Sequence, residues 1–194
     1  MKNIQSICVY CGSRTGDDPT YVSLANELGR IMAEQNIKLV YGGGSIGLMG
    51  VVADSVIDNG GYVTGFIPEH LDSVEISYTR AQDMHVVPNM HIRKKGMFDA
   101  SDAFVVLPGG LGSLDETFEI ITWAQLGLHD KPVIIVNHNN YWKPLIDLID
   151  HVVDKNFAGP SSKELFTIVD SADQVLQAIE DYRSPRTPPL SEFF

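Results

Sequence analysis

The amino-acid sequence predicts an α/β fold, a single doubly wound (Rossmann-like) parallel sheet with helices on both faces. Short apolar segments alternate with segments of helical spacing from end to end, and strands that alternate with helices form parallel sheets joined by right-handed crossovers. The chain has 194 residues, the usual size of one domain. Three of the predicted strand-to-helix connections are rich in glycine or small polar residues, as expected where ligands bind beyond the carboxyl ends of parallel strands.

Seven short apolar segments predict the strands. The run from Val133 to Val136 is apolar throughout, the pattern of a strand that is buried on both faces. Glycines follow Tyr41, and Pro68 stops the third segment, as is typical of strand ends. The predicted strands are residues 6–10, 38–41, 62–67, 82–87, 103–107, 133–136 and 166–169.

Six segments predict the helices. In the first of them Leu24, Leu28 and Met32 recur at a spacing that places them on one helical face. Asn89 is the predicted N-cap of the third, because its side chain can accept a hydrogen bond from a backbone N–H of the first turn. The predicted helices are residues 19–35, 48–57, 89–100, 113–126, 142–153 and 172–182.

These elements form one predicted domain, residues 1–183, in which residues 69–80 are the least regular internal stretch. Residues 184–194 form a predicted C-terminal tail that is extended or disordered, because prolines at positions 185, 188 and 189 interrupt it.

The chain is acidic, with 14 Lys+Arg, 25 Asp+Glu and a net charge of −11. Such a charge repels phosphate polymers, so we expect no nucleic-acid partner, although a local site can still bind a small phosphorylated ligand. No apolar run approaches the ~20 residues of a membrane span, and no signal-peptide pattern is present. We therefore expect no membrane contact and a cytoplasmic protein.

Cys8 and Cys11 form a C-x-x-C that begins in the first predicted strand. Residues three apart on a strand point to opposite faces, so we expect two reduced thiols rather than a redox pair or a zinc site. The six histidines show no metal-binding spacing. We expect neither a metal nor a cofactor.

The three glycine-rich connections are residues 11–16, 42–47 and 108–113. Glycine lets backbone N–H groups approach an anion, and the helix that follows adds unpaired N–H donors and a partial positive charge. Tight turns alone explain one such loop, but two long loops that share a crevice favour a phosphate site.

The second connection also matches G-x-G-x-x-G at Gly42, Gly44 and Gly47, with Glu69 after the next strand. This pattern is typical of dinucleotide-binding folds. The motif follows the second predicted strand rather than the first, and a dinucleotide site leaves the third connection unexplained. NAD binding is therefore a lesser alternative.

Two candidate catalytic groups lie near the third connection. Glu116 forms with Ser113 the pattern of a helix-capping box, in which the carboxylate folds back onto the serine backbone. The alternative is that the carboxylate faces the sugar of a ligand whose phosphate fills the loop. Arg93 begins the only run of three cations in the sequence. Such a run is usually a solvated patch; the alternative is that the Arg93 guanidinium binds a phosphate or carboxylate through two hydrogen bonds.

Residues 108–116, Pro-Gly-Gly-Leu-Gly-Ser-Leu-Asp-Glu, resemble the PGGxGTxxE motif of the Lonely Guy (LOG) family of cytokinin riboside 5′-monophosphate phosphoribohydrolases. The resemblance spans roughly residues 4 to 180. Ser113 stands where the family usually has threonine, and it keeps the hydroxyl group. Further segments similar to the family are residues 11–13, 42–50, 90–94, 121–127 and 129–132.

The resemblance implies a Rossmann-like homodimer that hydrolyses the N-glycosidic bond of a nucleoside 5′-monophosphate, either AMP or a cytokinin riboside 5′-monophosphate. The products are a free base and ribose 5-phosphate, and no metal or cofactor is needed. By position, Arg93 and Glu116 become the catalytic residues. The implied substrate-binding residues are Lys94, Gly109, Gly110, Gly112, Ser113, Gly43, Gly44 and Glu69.

This chemistry suits the residues, because glycosidic cleavage passes through a sugar cation that a carboxylate at Glu116 stabilises. Members of the family are often labelled lysine decarboxylases, but no cofactor-binding lysine motif is recognisable in this sequence. The alternative function is that of a non-catalytic nucleotide or molybdenum-cofactor carrier of the same fold.

Overall fold

The computed structural model describes residues 4–72 and 80–183. Within these ranges the strands are β1 (Ser6–Tyr10), β2 (Lys38–Tyr41), β3 (Val63–Pro68), β4 (Asp83–Val87), β5 (Ala103–Val106), β6 (Val133–Val136) and β7 (Thr167–Val169). They form one sheet in the order β4-β3-β2-β1-β5-β6-β7, and every pairing is parallel.

This strand order places a switch point in the middle of the sheet. β1 pairs with β2 on one side and with β5 on the other. The chain therefore builds the sheet outward in one direction up to β4 and in the opposite direction from β5. Loops diverge at such a point and leave a crevice at the carboxyl ends of the strands, where ligands of these folds bind.

The helices of the described ranges are α1 (Thr20–Glu34), α2 (Gly47–Asp58), α3 (Glu69–Asp72), α4 (Met90–Asp99), α5 (Leu111–Gln125), α6 (Lys143–Asp154) and α7 (Val175–Asp181). Asn89 caps α4 as predicted, and its Oδ1 accepts a hydrogen bond from the Ile92 N–H at 3.0 Å. The sequence does not predict α3, because a single turn is too short to show a helical periodicity.

Alternate residues of β1 divide the core between the two faces of the sheet. Ile7, Val9 and Cys11 pack in the cluster beneath α1, α2 and α7, whereas Cys8 and Tyr10 pack in the cluster beneath α4, α5 and α6. Helices therefore cover both faces, and the predicted doubly wound α/β fold is confirmed. The two cysteines lie on opposite sides as predicted, both free and buried, and burial raises the pKa of each thiol.

In the part of the chain that the structure describes, no helix combines the length and the apolar character needed to cross a bilayer. The predicted tail, residues 184–194, lies outside the described residues, as do residues 73–79 of the stretch predicted to be irregular.

Candidate active site

Three loops meet at the carboxyl ends of the central strands. The first loop joins β1 to α1, the second joins β2 to α2, and the third joins β5 to α5. The Gly12 N–H donates to the Pro108 carbonyl at 3.0 Å, and the Leu48 N–H donates to the Gly12 carbonyl at 2.9 Å. These two hydrogen bonds connect the three glycine-rich segments of the sequence around one crevice.

The crevice has two lobes that share the backbone of Gly12, Ser13 and Gly110. The smaller lobe encloses about 210 Å³ and the larger about 490 Å³. We call the smaller one the methionine lobe; its side chains include Met49, Met90, Arg93, Met97 and Glu116. We call the larger one the arginine lobe; its side chains include Arg14, Asp17, Tyr21 and Tyr141.

Arg93 and Glu116 form a buried ion pair in the wall of the methionine lobe. Arg93 lies on α4 and Glu116 on α5, the Arg93 Nη1 donates to the Glu116 Oε1 at 2.7 Å, and each side chain is 9% exposed. The Arg93 Nε also donates to the Phe66 carbonyl of β3 at 3.1 Å. Because two helices and a strand fix the guanidinium, the carboxylate beside it is held in one orientation.

Gly42, at the end of β2, makes room for this pair. A Cβ atom at position 42 would lie 1.9 Å from the Arg93 Nη2, so any other residue there would displace the guanidinium. The close approach accounts for the first glycine of the second loop without a bound dinucleotide.

Glu116 has a raised pKa. Burial disfavours its charged form and outweighs the stabilisation that the Arg93 guanidinium provides. The nearby charge of Asp115 adds to the rise, and that of Lys94 opposes it. A carboxyl group of this kind, buried at a crevice, is suited to proton transfer.

The capping-box interpretation of Glu116 is wrong. α5 begins at Leu111 with Gly110 as its N-cap, and the Gly110 backbone is extended, with φ −100° and ψ −155°. Ser113 is therefore already inside the first turn, and the Glu116 carboxylate is bound to Arg93 instead of the Ser113 backbone. The helix starts before the serine because a glycine at the end of the third loop serves as the N-cap.

Lys94 faces α5 instead of solvent. Its Nζ lies 3.1 Å from the Asp115 Oδ2 and 3.0 Å from the Glu119 Oε1, and its side chain is 12% exposed. Burial opposes its charge, but Glu119 and Asp115 raise its pKa. The interpretation of the cationic run as a solvated patch is therefore wrong for Arg93 and Lys94, and it holds for Lys95, which is exposed beside Asp99.

The third loop borders both lobes. Gly110, Gly112 and Ser113 line the methionine lobe, and Gly109 and Gly110 line the arginine lobe. Gly112 and Ser113 belong to the first turn of α5, where backbone N–H groups have no partner within the helix and carry partial positive charge. The structure thus brings the N-terminus of α5, with its unpaired N–H donors, beside the Arg93–Glu116 pair.

Four predicted substrate-binding residues line neither lobe: Lys94, described above, and Gly43, Gly44 and Glu69. Gly43 and Gly44 are buried in the second loop and line neither of the two lobes. Glu69 begins α3 and is exposed, and it is Leu71 of the same helix that lines the methionine lobe.

Sequence reasoning missed the methionines of the site. Met90, Arg93 and Met97 are spaced three and four residues apart on α4, so they share one helix face, and this spacing was the available signal. Methionines at helical spacing are typical of a core, and Met97 is buried like a core residue. Arg14, Tyr21 and Tyr141 were missed as well, because only the fold brings them together.

Comparison with known proteins gives concordant findings. A family described as "possible lysine decarboxylase" matches residues 49–179. The cytokinin riboside 5′-monophosphate phosphoribohydrolase LOG1 of Arabidopsis thaliana is 44% identical over 176 residues, which is 91% of this chain and 83% of that protein. The probable cytokinin riboside 5′-monophosphate phosphoribohydrolase LOGL6 of Oryza sativa subsp. japonica is 44% identical, over 96% of this chain and 74% of that protein.

Solved structures share the fold at lower identity. The molybdenum cofactor binding protein of Rippkaea orientalis superposes with a TM-score of 0.67 at 21% identity, over 93% of this chain and 98% of that one. The Moco carrier protein of Chlamydomonas reinhardtii gives a TM-score of 0.67 at 18% identity, over 91% and 96% of the two chains. At these identities the likeness shows the architecture alone.

Proposed function

The chain belongs to the LOG family of cytokinin riboside 5′-monophosphate phosphoribohydrolases, and from this premise we propose that it hydrolyses the N-glycosidic bond of a nucleoside 5′-monophosphate. The substrate is AMP or a cytokinin riboside 5′-monophosphate, and the products are the free base and ribose 5-phosphate. The observation that carries the proposal is the buried Arg93–Glu116 pair beside the N-terminus of α5.

The crevice offers a separate binding region for the phosphate and for the base of a nucleotide. The 5′-phosphate binds the third loop, where Gly110, Gly112 and Ser113 present the first turn of α5 to the crevice. The base enters the methionine lobe, because thioether side chains make favourable contacts with aromatic rings. A phosphate held at one end fixes the sugar against Glu116 and turns binding energy into orientation.

Glu116 and Arg93 divide the chemistry. As the C1′–N bond breaks, its electron pair leaves with the base, and the Glu116 carboxylate stabilises the positive charge on the sugar. A water molecule adds its oxygen to C1′ and gives a proton to Glu116, while the departing base takes up a proton from solvent. Glu116 then returns its proton to solvent, which restores the carboxylate. Arg93 keeps the carboxylate oriented through the hydrogen bond from its Nη1, and we assign it no proton transfer.

We further propose a cytoplasmic homodimer whose catalytic unit is residues 1–183, with residues 184–194 outside it. Two observations support the dimer and the compartment. The dimer follows the resemblance to the family, and both helices that carry the catalytic pair expose a large apolar side chain that an interface could bury, Ile92 on α4 and Phe118 on α5. The free thiols Cys8 and Cys11 fit a reducing compartment.

The experiment that tests the function follows base release from AMP and from isopentenyladenosine 5′-monophosphate by chromatography. Glu116→Gln keeps the shape of the side chain and an oxygen for Arg93 but leaves the buried guanidinium without its counter-charge. We therefore expect a less stable protein that is still folded, as a melting curve would show, and that releases no base. Glu34→Gln is the matched control, since Glu34 is an exposed glutamate paired with Arg30 on α1, and we expect full activity.

Retained turnover in Glu116→Gln would contradict the assigned role of the carboxylate. Absence of base release from both substrates in the unmodified protein, together with a nucleotide that copurifies, would instead favour the carrier function.

A further inference from the structure

The two lobes of the crevice differ in chemistry. Thioethers and the closed Arg93–Glu116 pair line the methionine lobe. Among the described residues of this lining, none offers an unpaired cation to an anion. The arginine lobe has polar side chains around the outer side of Gly109 and Gly110. A phosphate bound at the third loop therefore has the arginine lobe as its polar neighbour.

Arg14 extends from a backbone that is fixed against the neighbouring loops. Gly47, with φ +62°, lies so close that a Cβ atom there would be 2.2 Å from the Ser13 carbonyl carbon and 2.4 Å from the Arg14 nitrogen. The Gly12 N–H in turn holds the Pro108 carbonyl of the third loop at 3.0 Å. The base of the Arg14 side chain is thus positioned by the same contacts that position the phosphate-binding loop.

The opposite wall of the lobe is fixed as well. The Tyr141 hydroxyl donates to the Gly109 carbonyl at 2.6 Å, and the Tyr141 ring meets the Tyr21 ring edge to face at 5.4 Å between centroids. Beside them, Asp18 accepts a hydrogen bond from the Asn139 side chain at 3.0 Å. These contacts attach the first loop and the third loop to the segment after β6.

The charges of the lobe are few and opposed. Among the described residues that line it, Arg14 is the only cation and Asp17 the only anion. In a chain with a net charge of −11, a local cation adds to the attraction that the N-terminus of α5 exerts on a phosphate dianion. Without Arg14, the carboxylate of Asp17 would be the only charge in the lobe.

We propose that Arg14 binds the 5′-phosphate of the substrate from the arginine lobe and thereby makes the site select nucleotides over nucleosides. This inference rests on the proposed function, since it concerns the same substrate. Arg14 supplies a charged, forked donor to phosphate oxygens that the N–H groups of α5 leave free. Asp17 works against that binding, so the two residues have opposite effects on affinity.

The test compares Arg14→Gln, Asp17→Asn and Arg30→Gln, the last an exposed arginine paired with Glu34 on α1. Initial rates with AMP and adenosine report selectivity. Calorimetric titration with ribose 5-phosphate reports phosphate binding without turnover. We expect Arg14→Gln to weaken ribose 5-phosphate binding and to raise KM for AMP by about tenfold or more, the effect of a charged hydrogen bond. Asp17→Asn should tighten ribose 5-phosphate binding and lower KM for AMP. The rates with adenosine should not change in any of the variants, and Arg30→Gln should behave as the unmodified protein in both assays.

An Arg14→Gln protein that binds ribose 5-phosphate as tightly as the unmodified chain would overturn the proposal, and so would equal losses for AMP and adenosine. The two hypotheses fail separately. If the unmodified protein releases no base, the proposed function fails, and the titration with ribose 5-phosphate still decides the role of Arg14. If base release persists and Arg14→Gln changes no constant for AMP, only the role of Arg14 fails.

Discussion

At the scale of single residues, the Arg93–Glu116 ion pair is buried at a cost in desolvation free energy, and the same burial raises the pKa of Glu116. Taking two charges out of water is expensive, and removing one partner of such a pair costs about 3–5 kcal/mol because the other charge remains buried. Here the cost is limited by geometry, since Glu116 and the Phe66 carbonyl each accept a hydrogen bond from the Arg93 guanidinium. The same burial gives Glu116 the raised pKa that its proposed role uses.

The raised pKa of Glu116 predicts the pH dependence of turnover. The ionised carboxylate stabilises the sugar cation, so kcat/KM should rise as pH increases through the pKa of Glu116 in the free enzyme and fall below it. Because burial raises that pKa, the midpoint of the rise should lie above 4.5, the ordinary value for glutamate. Rates measured across the acid range, with melting curves at each pH to separate unfolding from titration, check this. A midpoint at or below the ordinary value contradicts it.

At the scale of elements, the site depends on how β2, α4 and α5 approach one another. Three adjacent ion pairs connect α4 to α5: Arg93 with Glu116, and Lys94 with both Asp115 and Glu119. Gly42, directly after β2, has no side chain, and this leaves room for the Arg93 guanidinium. The backbone at the end of β2 therefore forms the surface against which the guanidinium rests.

This arrangement predicts that Gly42→Ala impairs turnover more than folding. The new methyl group would lie 1.9 Å from the Arg93 Nη2, so the guanidinium would shift and Glu116 would lose its orientation. A displacement of about 1 Å in such a site costs roughly a hundredfold in rate. Gly159→Ala is the matched control, because a Cβ atom there meets only the Ser161 hydroxyl, at 3.7 Å. Base-release rates and melting temperatures of both proteins test the prediction, and equal rates would disprove it.

At the scale of the whole molecule, the sequence predicts the sheet better than the site. Continuous apolar runs such as Val133–Val136 mark buried parallel strands without further context. The single turn of α3 leaves no such pattern. The predicted pairing of Glu116 with a ligand depends on the family motif, since the local pattern favoured a capping box. The methionine lobe escaped prediction because Met49 and Met97 come from different elements that only the tertiary fold brings together.

The proposed homodimer is the prediction that concerns the molecule as a whole. Light scattering of the purified chain should give twice the mass of 21.4 kDa. Phe118→Glu places a charge on an exposed apolar position of α5. Burying that charge in an interface without a counter-charge is unfavourable. We therefore expect this variant to be monomeric and to lose activity. Phe157→Glu is the control, because Phe157 is 87% exposed beyond the end of α6 and belongs to neither catalytic helix. A monomeric mass for the unmodified chain, or a Phe118→Glu protein that remains dimeric, would show that the catalytic helices do not form the interface.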